Sequence, residues 1–406
     1  MPLTRRNLIA GSMVVLPLAT VRFARRELAR SSPYLGPVVV SIFQRGGADG
    51  LNIVAPYADG SYHDLRPKIG LKPPGQGTGA AIDLDGFFGL HPSLEPIKPL
   101  YDDGALAFVH AAGNPVDSHS HFACQDYMER GLAGQSSLTT GWLGRHLATH
   151  ETGNLSPFRA LAIGPAVQRA LVGDVPAFDI EQISSFALRV RGEDPLKVRE
   201  ALLALDADPT QRLDATVQQT FTAIDALAGV PVPKDTGAYP KSSFGTGLRT
   251  LAQLIKAGFG VEAASVDIGG WDHHQAESGA MPGRLADLAA GLAAFVADLG
   301  SEMSRVTIVV MTEFGRRAYE NASGGTDHGH GGVMLALGAG VNGGKVHADW
   351  PGLDKPRLFD SGDLQVTTDF RAVLGELLAE RTGDTTLGDV FPGYSMPAFP
   401  GVFRSG

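Results

Sequence analysis

Cysteine is almost missing from this chain. Cys124 stands alone among 406 residues, which excludes an intrachain disulfide and a cysteine-rich zinc module in any compartment. Any bound metal must therefore be held by histidines and carboxylates. Basic charge is also short: 34 Lys and Arg face 43 Asp and Glu, a net charge of -9. No positive field exists to attract a polynucleotide backbone, so nucleic-acid binding is not expected. The N-terminus lacks a full-length hydrophobic span. Its apolar run, residues 8–19, falls short of the roughly 20 residues of a comfortable crossing and gives way to Arg22, Arg25, Arg26 and Arg30, so no stable membrane span is expected after processing. Internal repeats and low-complexity tracts are missing too. The 52 Gly and 26 Pro are scattered without a period, which suits many loops rather than disorder.

What is present is ordinary globular material, 43% hydrophobic and 19% charged, ample for one large core or two modest ones. Ahead of the apolar run, Thr4-Arg5-Arg6-Asn7-Leu8 resembles a twin-arginine export signal. An ordinary basic N-terminal helix is the competing reading. The resemblance implies that residues 1–36 are a signal and basic linker, that the twin-arginine machinery is a partner, and that the protein is periplasmic or extracellular. That route carries folded proteins, so a metal could be loaded before export.

Beyond the linker, Val38-Val39-Val40-Ser41-Ile42-Phe43 is a β-branched run of the kind found in buried strands. Gln44-Arg45-Gly46-Gly47-Ala48-Asp49-Gly50 follows it, a loop at a strand's carboxyl end, where open α/β sheets gather ligands; a plain turn is the alternative. Residues 57–90 read as an irregular surface excursion. Strands are expected over 105–110, 261–268, 306–311 and 332–337. Helices are expected over 122–130, 206–228, 247–257, 282–299 and 368–380. Strands alternating with helices predict an α/β fold with a mostly parallel sheet flanked by helices, and no linker divides residues 37–406, which read as a single domain with insertions.

Six of the 12 histidines fall in three short segments, His119/His121, His273/His274 and His328/His330, each beside Asp or Ser. Mixed imidazole and carboxylate donors favour a transition metal over magnesium or calcium. A divalent ion is therefore expected, zinc first, with manganese or iron as alternatives. Asp272-His273-His274 follows an expected strand, and in extended backbone the Asp-x-His spacing puts Asp272 and His274 on one side. Surface hydrogen bonding is the bland alternative. Glu313 ends the next strand at the mouth of the sheet, with an ion pair to Arg316 as its other possible role. Asp327-His328-Gly329-His330-Gly331 alternates potential ligands with glycines. The metal set expected from these segments is Asp272, His274, Glu313, Asp327, His328 and His330, with His273 undecided. Ser120 or Ser118 opens a helix whose free N–H groups favour an anion, so a hydroxyl there could attack phosphorus or sulfur; plain capping competes. His121 could be ligand, general base or hydrogen-bond partner, and Arg45 could clamp an oxyanion. The paired glycines 46–47 and 343–344 complete no nucleotide-loop pattern.

Arg45-Gly46-Gly47-Ala48-Asp49-Gly50-Leu51-Asn52, Ser120-His121-Phe122, Gly270-Trp271-Asp272, Thr312-Glu313-Phe314-Gly315-Arg316 and Gly325-Thr326-Asp327-His328-Gly329 together resemble a bacterial family known as domain of unknown function 1501. The resemblance runs over nearly the whole chain. That family is distantly similar to the alkaline phosphatase superfamily, which includes sulfatases and phosphomutases. It implies an alkaline-phosphatase-like α/β fold, with Asp49 as an early metal aspartate, Ser120 as nucleophile, and Asp272 with His274 on one ion. Glu313 would stand for a later acid, and Asp327 with His328 would finish the site. Three departures stand out: no histidine follows Glu313, His273 occupies a position usually held by threonine, and Ser120 lies further from Asp49 in sequence than the superfamily pattern leads one to expect. The function implied is an exported metal-dependent hydrolase of phosphate or sulfate esters, acting on a small-molecule or glycan ester. The alternatives are a non-catalytic exported metal-binding or assembly protein that keeps the fold and, more remotely, an iron or copper oxidoreductase.

Overall fold

The computed structural model describes residues 34–134, 137–183, 199, 215–227 and 238–405. The expected export signal falls outside them except for its last few linker residues, and so does the first part of the helix expected over 206–228.

Nine strands form the main sheet among the described residues. They are β1 (Val38–Arg45), β2 (Leu106–Gly113), β3 (Ala160–Ile163), β4 (Ala177–Asp179), β5 (Ala263–Gly269), β6 (Val306–Thr312), β7 (Gly332–Gly338), β8 (Lys345–His347) and β9 (Thr368–Asp369). Their spatial order is β8-β2-β7-β6-β1-β5-β3-β4, with β9 also paired to β2. β1 lies parallel to both β5 and β6, and β3 is parallel to β4 and β5. β7 alone is reversed, antiparallel to β2 on one side and β6 on the other. The mostly parallel α/β sheet expected from the sequence is what forms.

The helices used below are α1 (His121–Arg130), α2 (Trp142–Thr149), α3 (Ala215–Leu227), α4 (Ser243–Lys256), α5 (Glu277–Leu299) and α6 (Phe370–Thr382). Alternate residues of each central strand enter different cores. Val40, Ile42, Val266 and Val310 pack with Phe244 and Leu248 of α4 and Leu285 and Leu292 of α5. Val39, Phe43, Val309 and Met311 pack with Trp142 of α2 and Phe370, Leu374 and Leu378 of α6. Each such side chain, fully buried, contributes about 1.5–3 kcal/mol, so a strand buried on both faces is bound to read as a continuous apolar run. α5 is long and apolar enough to cross a membrane by length and composition alone, yet its apolar residues line the first core. It starts at Glu277, before the expected Pro282. Pro282 lacks only the N–H that would reach Ser278, whose surroundings are exposed.

The excursion over residues 57–90 is less superficial than its composition suggests. Its Tyr62 and Arg66 side chains are fully buried, and Gly89–Leu90 pairs with both Val54–Ala55 and Ile82–Asp83 in a small second sheet.

The topology decides where the candidate site residues meet. β1, β5 and β6 deliver their carboxyl ends to one edge of the sheet, in the loops that carry Asp49, Asp272 and Glu313. Because β7 runs backwards, its beginning lies at that same edge, and the segment leading into it brings His328 there. The Asp327–His330 segment thus reaches the site ahead of an antiparallel strand, while Asp272 and Glu313 follow parallel ones.

Candidate metal centre

Asp272 lies at the middle of the cluster. Its Oδ1 is 3.1 Å from His274 Nε2 and 3.2 Å from His328 Nε2, and its Oδ2 is 3.5 Å from His121 Nε2. His121, Asp272 and His328 form a group whose ligand atoms all lie within 4.8 Å of one another; His274 is outside that group, but its Nε2 lies beside it, 3.0 Å from His328 Nε2.

The three imidazoles are each held from behind. His121 Nδ1 faces Glu313 Oε1 at 2.8 Å, His274 Nδ1 faces Asp327 Oδ1 at 3.1 Å, and His328 Nδ1 faces the His119 carbonyl oxygen at 2.9 Å. All three partners are acceptors, so each ring carries its proton on Nδ1 and turns the Nε2 lone pair toward Asp272. Lone pairs 3.0 Å apart repel unless a cation lies between them. Metal–nitrogen bonds of about 2.0–2.1 Å set neighbouring ligand atoms roughly 3.3–3.4 Å apart, close to the contacts of 3.0–3.5 Å around Asp272 and His328. His121 Nε2 is buried and has no hydrogen-bond partner, an orphan of the kind a metal satisfies. The donor set therefore fits a divalent ion held by Asp272, His121 and His328, with His274 beside them as a further donor.

Charge supports this placement. The buried Arg316 guanidinium donates to the Gly47, Thr326 and Trp271 carbonyls and, at 2.6 Å, to Asp272 Oδ1. Burial raises the Asp272 carboxyl, but the Arg316 hydrogen bond and charge, with the contributions of His328 and His274, together outweigh it and bring the pKa down to about 2. Arg316 thus pairs with Asp272, not with Glu313. Glu313 is completely buried. Its Oε1 accepts from Gly46 N, Gln125 Nε2 and His121, and its Oε2 from Thr312 Oγ1. Burial raises this group too, yet the hydrogen bonds, His121's foremost, hold it below the ordinary glutamate value. The same contact raises His121. Glu313 therefore orients a histidine rather than facing the cluster, and Asp327 has the same relation to His274.

Other expected site residues lie elsewhere. Asp49 is buried in a second cluster, ion-paired with Arg66 and accepting from Leu51 N; its side chain is consumed there. Glu277 belongs to that cluster, accepting from Asn52 Nδ2 at 2.8 Å and Thr326 Oγ1 at 3.0 Å. Burial and the Asp49 charge push its carboxyl up to about 8. His330 stacks on Phe359, centroids 4.3 Å apart, away from the four donors. Ser120 caps α1, its Oγ accepting from Ala123 N at 3.4 Å. Arg45 is held by Glu129 and Asp267 at 3.1 and 2.9 Å. His273 is buried and keeps its ring out of the donor group. The roles of Arg316 and of the His119 carbonyl were not read from the sequence; the spacing of Arg316 behind Glu313 was the one available signal, and it pointed to the wrong carboxylate.

The model of the family described as a protein of unknown function, DUF1501, matches residues 37–390. The chain belongs to that family. No curated protein matches this DUF1501 chain. Among solved structures it is similar to the lipoteichoic acid synthase LtaP from Listeria monocytogenes, 8% identical with a TM-score of 0.35, covering 82% of this chain and 74% of that one. It is also similar to BT1596, a 2-O GAG sulfatase, at 9% identity and a TM-score of 0.35, covering 91% and 73%. A third is the PsFucS1 sulfatase from Pseudoalteromonas sp., at 12% and 0.30, covering 80% and 66%. The architecture of the DUF1501 chain rests on its own sheet.

Proposed function

We propose that this protein is a metal-dependent hydrolase of phosphate or sulfate esters. The observation that carries the reading is the convergence of three Nε2 atoms on Asp272, each ring fixed at Nδ1 by a separate acceptor. Asp272, His121 and His328, with His274 beside them, would hold a divalent ion, zinc by preference for this nitrogen-rich set, which would supply Lewis-acid polarisation of an ester oxygen.

The chain's own residues do the rest. Glu313 keeps the His121 proton on Nδ1, and Arg316 keeps Asp272 ionised and in place. Ser120, one residue before His121, presents an exposed hydroxyl for attack on phosphorus or sulfur. Arg45 lies in the neighbouring cavity with Gln125 and Phe122, where its charge can offset that of an anionic ester. One observation favours a second reading, a non-catalytic metal-binding protein: Ser120 is engaged as a helix cap and Arg45 is already neutralised by two carboxylates.

Metal content and turnover on phosphate and sulfate mono- and diesters separate the two. The hydrolase reading expects stoichiometric metal and turnover that disappears in His328→Ala and falls sharply in Ser120→Ala. Stoichiometric metal without turnover on any ester would leave the binding reading. Export through the twin-arginine route is proposed on the N-terminal sequence alone, and Arg5→Lys with Arg6→Lys should retain the protein in the cytoplasm.

A further inference from the structure

A cavity of about 320 Å³ opens where the start of α5 meets residues 68–72 and the turn at His91. None of the four metal donors lines it, so it is separate from the metal centre. His91 is its unusual residue, only 7% exposed. Its Nδ1 accepts from Ser93 N at 3.0 Å, which leaves the ring proton on Nε2. Burial pushes the pKa of the imidazole down to about 4, so at pH 7 the ring is neutral and Nε2–H is its one donor. No described residue accepts from that N–H, and His91 Nε2 is not among the unpartnered atoms sealed from solvent. A free donor on an otherwise buried ring thus faces the cavity.

The remaining charge in the lining is positive. Lys68 and Lys72 are exposed and ion-pair with no described carboxylate. Ser278 lies in the first turn of α5, a helix of 23 residues, and no described group accepts from its backbone N–H. The positive end of the helix is therefore open toward the cavity. Glu277 is the one acidic residue in the lining. Asn52 Nδ2 and Thr326 Oγ1 donate to its two oxygens. Because burial and the Asp49 charge push its pKa up to about 8, it is mostly neutral at pH 7 and repels an anion little.

We propose that this cavity is a second anion site, which binds a tetrahedral phosphate or sulfate group with one oxygen accepting from His91 Nε2–H and the others facing Lys68, Lys72 and the α5 N-terminus. Two ammonium groups suit a dianion better than the single charge of a carboxylate. Donors that arrive from three separate segments suit an ion with oxygens on every side, as at other helix N-termini. The cavity is larger than a bare oxyanion, and Ile69, Met281 and Pro282 give an apolar wall against which an organic remainder can pack. The site uses no metal donor and holds whether or not the chain is a hydrolase.

The test uses the full chain stripped of metal, so that no ion at the metal centre takes up the anion. Calorimetry at pH 7 probes inorganic phosphate and inorganic sulfate, with acetate as the planar, singly charged control. One phosphate or sulfate should bind per chain, and acetate about tenfold more weakly. Lys68→Ala combined with Lys72→Ala, both at exposed positions, should weaken phosphate binding by at least about tenfold, the value of one charge-assisted hydrogen bond, at unchanged melting temperature. On the nitrogen-15-labelled chain the His91 Nε2 resonance should shift as phosphate saturates the site, which reads the deep donor without altering a buried residue. Phenyl phosphate binding more tightly than inorganic phosphate supports the end group of an organic molecule as the ligand, and equal or weaker binding supports the free ion. Absence of binding to the stripped chain, binding indifferent to the paired lysine substitutions, a His91 resonance that does not move, or acetate binding as tightly as phosphate overturns the proposal.

Discussion

At the scale of single residues, the metal centre is decided by what lies behind the ligands. Glu313→Gln removes the charge that fixes the His121 tautomer while keeping size, and such second-layer losses cost about 10–100-fold in metal affinity. Chelator competition should read a fall of that size with the fold intact; unchanged affinity would remove Glu313 from the site. Glu277 makes a different prediction. Its folded pKa of about 8 lies above the ordinary 4.5, so between these values the folded chain holds a proton that the unfolded chain has released. Its contribution is complete below 4.5 and is lost as pH climbs through 8, a slope of roughly 1.4 kcal/mol per pH unit. Urea denaturation across pH 5.5 to 8.5 should show declining stability, and Glu277→Gln should flatten the decline. The residue types of the site were legible in the sequence, since His121, Asp272, His274 and His328 all lay in segments singled out for their donors. Their division into ligands and supports was not, because Glu313 and Asp327 differ from Asp272 only in which atoms of distant elements reach them first. Asp49 met the same strand-end criterion as Asp272. Arg66, supplied by a stretch whose composition suggested surface, drew it away.

At the scale of elements, the loop from β6 to β7 is built by backbone lying on backbone. Gly315 N donates to His330 O, and Gly329 N to Gly315 O. A Cβ at Gly329 would come within 2.3 Å of the Arg316 carbonyl carbon, a contact that only movement of the loop can relieve. Gly329→Ala is expected to displace His328 and to lower metal occupancy well before it lowers helix or sheet content, which paired elemental analysis and circular dichroism can check. Equal loss of both would show that the loop supports the whole sheet instead. The long β-branched strands β1 and β6 were readable because burial on both faces leaves little but apolar residues. β3, β4 and α2 were not, for they are short, and Ala160-Leu161-Ala162-Ile163 carries weak strand preference that only pairing with β5 overrides. The start of α5 was missed because Pro282 looks like a first-turn proline while the helix begins at Glu277.

At the scale of the whole molecule, metal binding and stability are one equilibrium. The four donors come from the α1 segment, the loop after β5 and the loop before β7, none of which is near another in sequence. An ion that binds them only in the folded chain stabilises it by about 2.7 kcal/mol at a hundredfold excess over the dissociation constant. Zinc titration should raise the melting temperature in step with concentration, and chelation should lower it; a midpoint indifferent to both would mean that the ion does not bridge these elements. The reversed course of β7 has one more consequence. The chain between Glu313 and Gly331 leaves and re-enters the sheet on the same side, so its span is fixed by two adjacent strands and not by its length. Since closing a longer loop costs only about 0.6 kcal/mol per doubling, relatives can lengthen or shorten this lip and reshape what approaches the ion, while the strands beneath need not change at all.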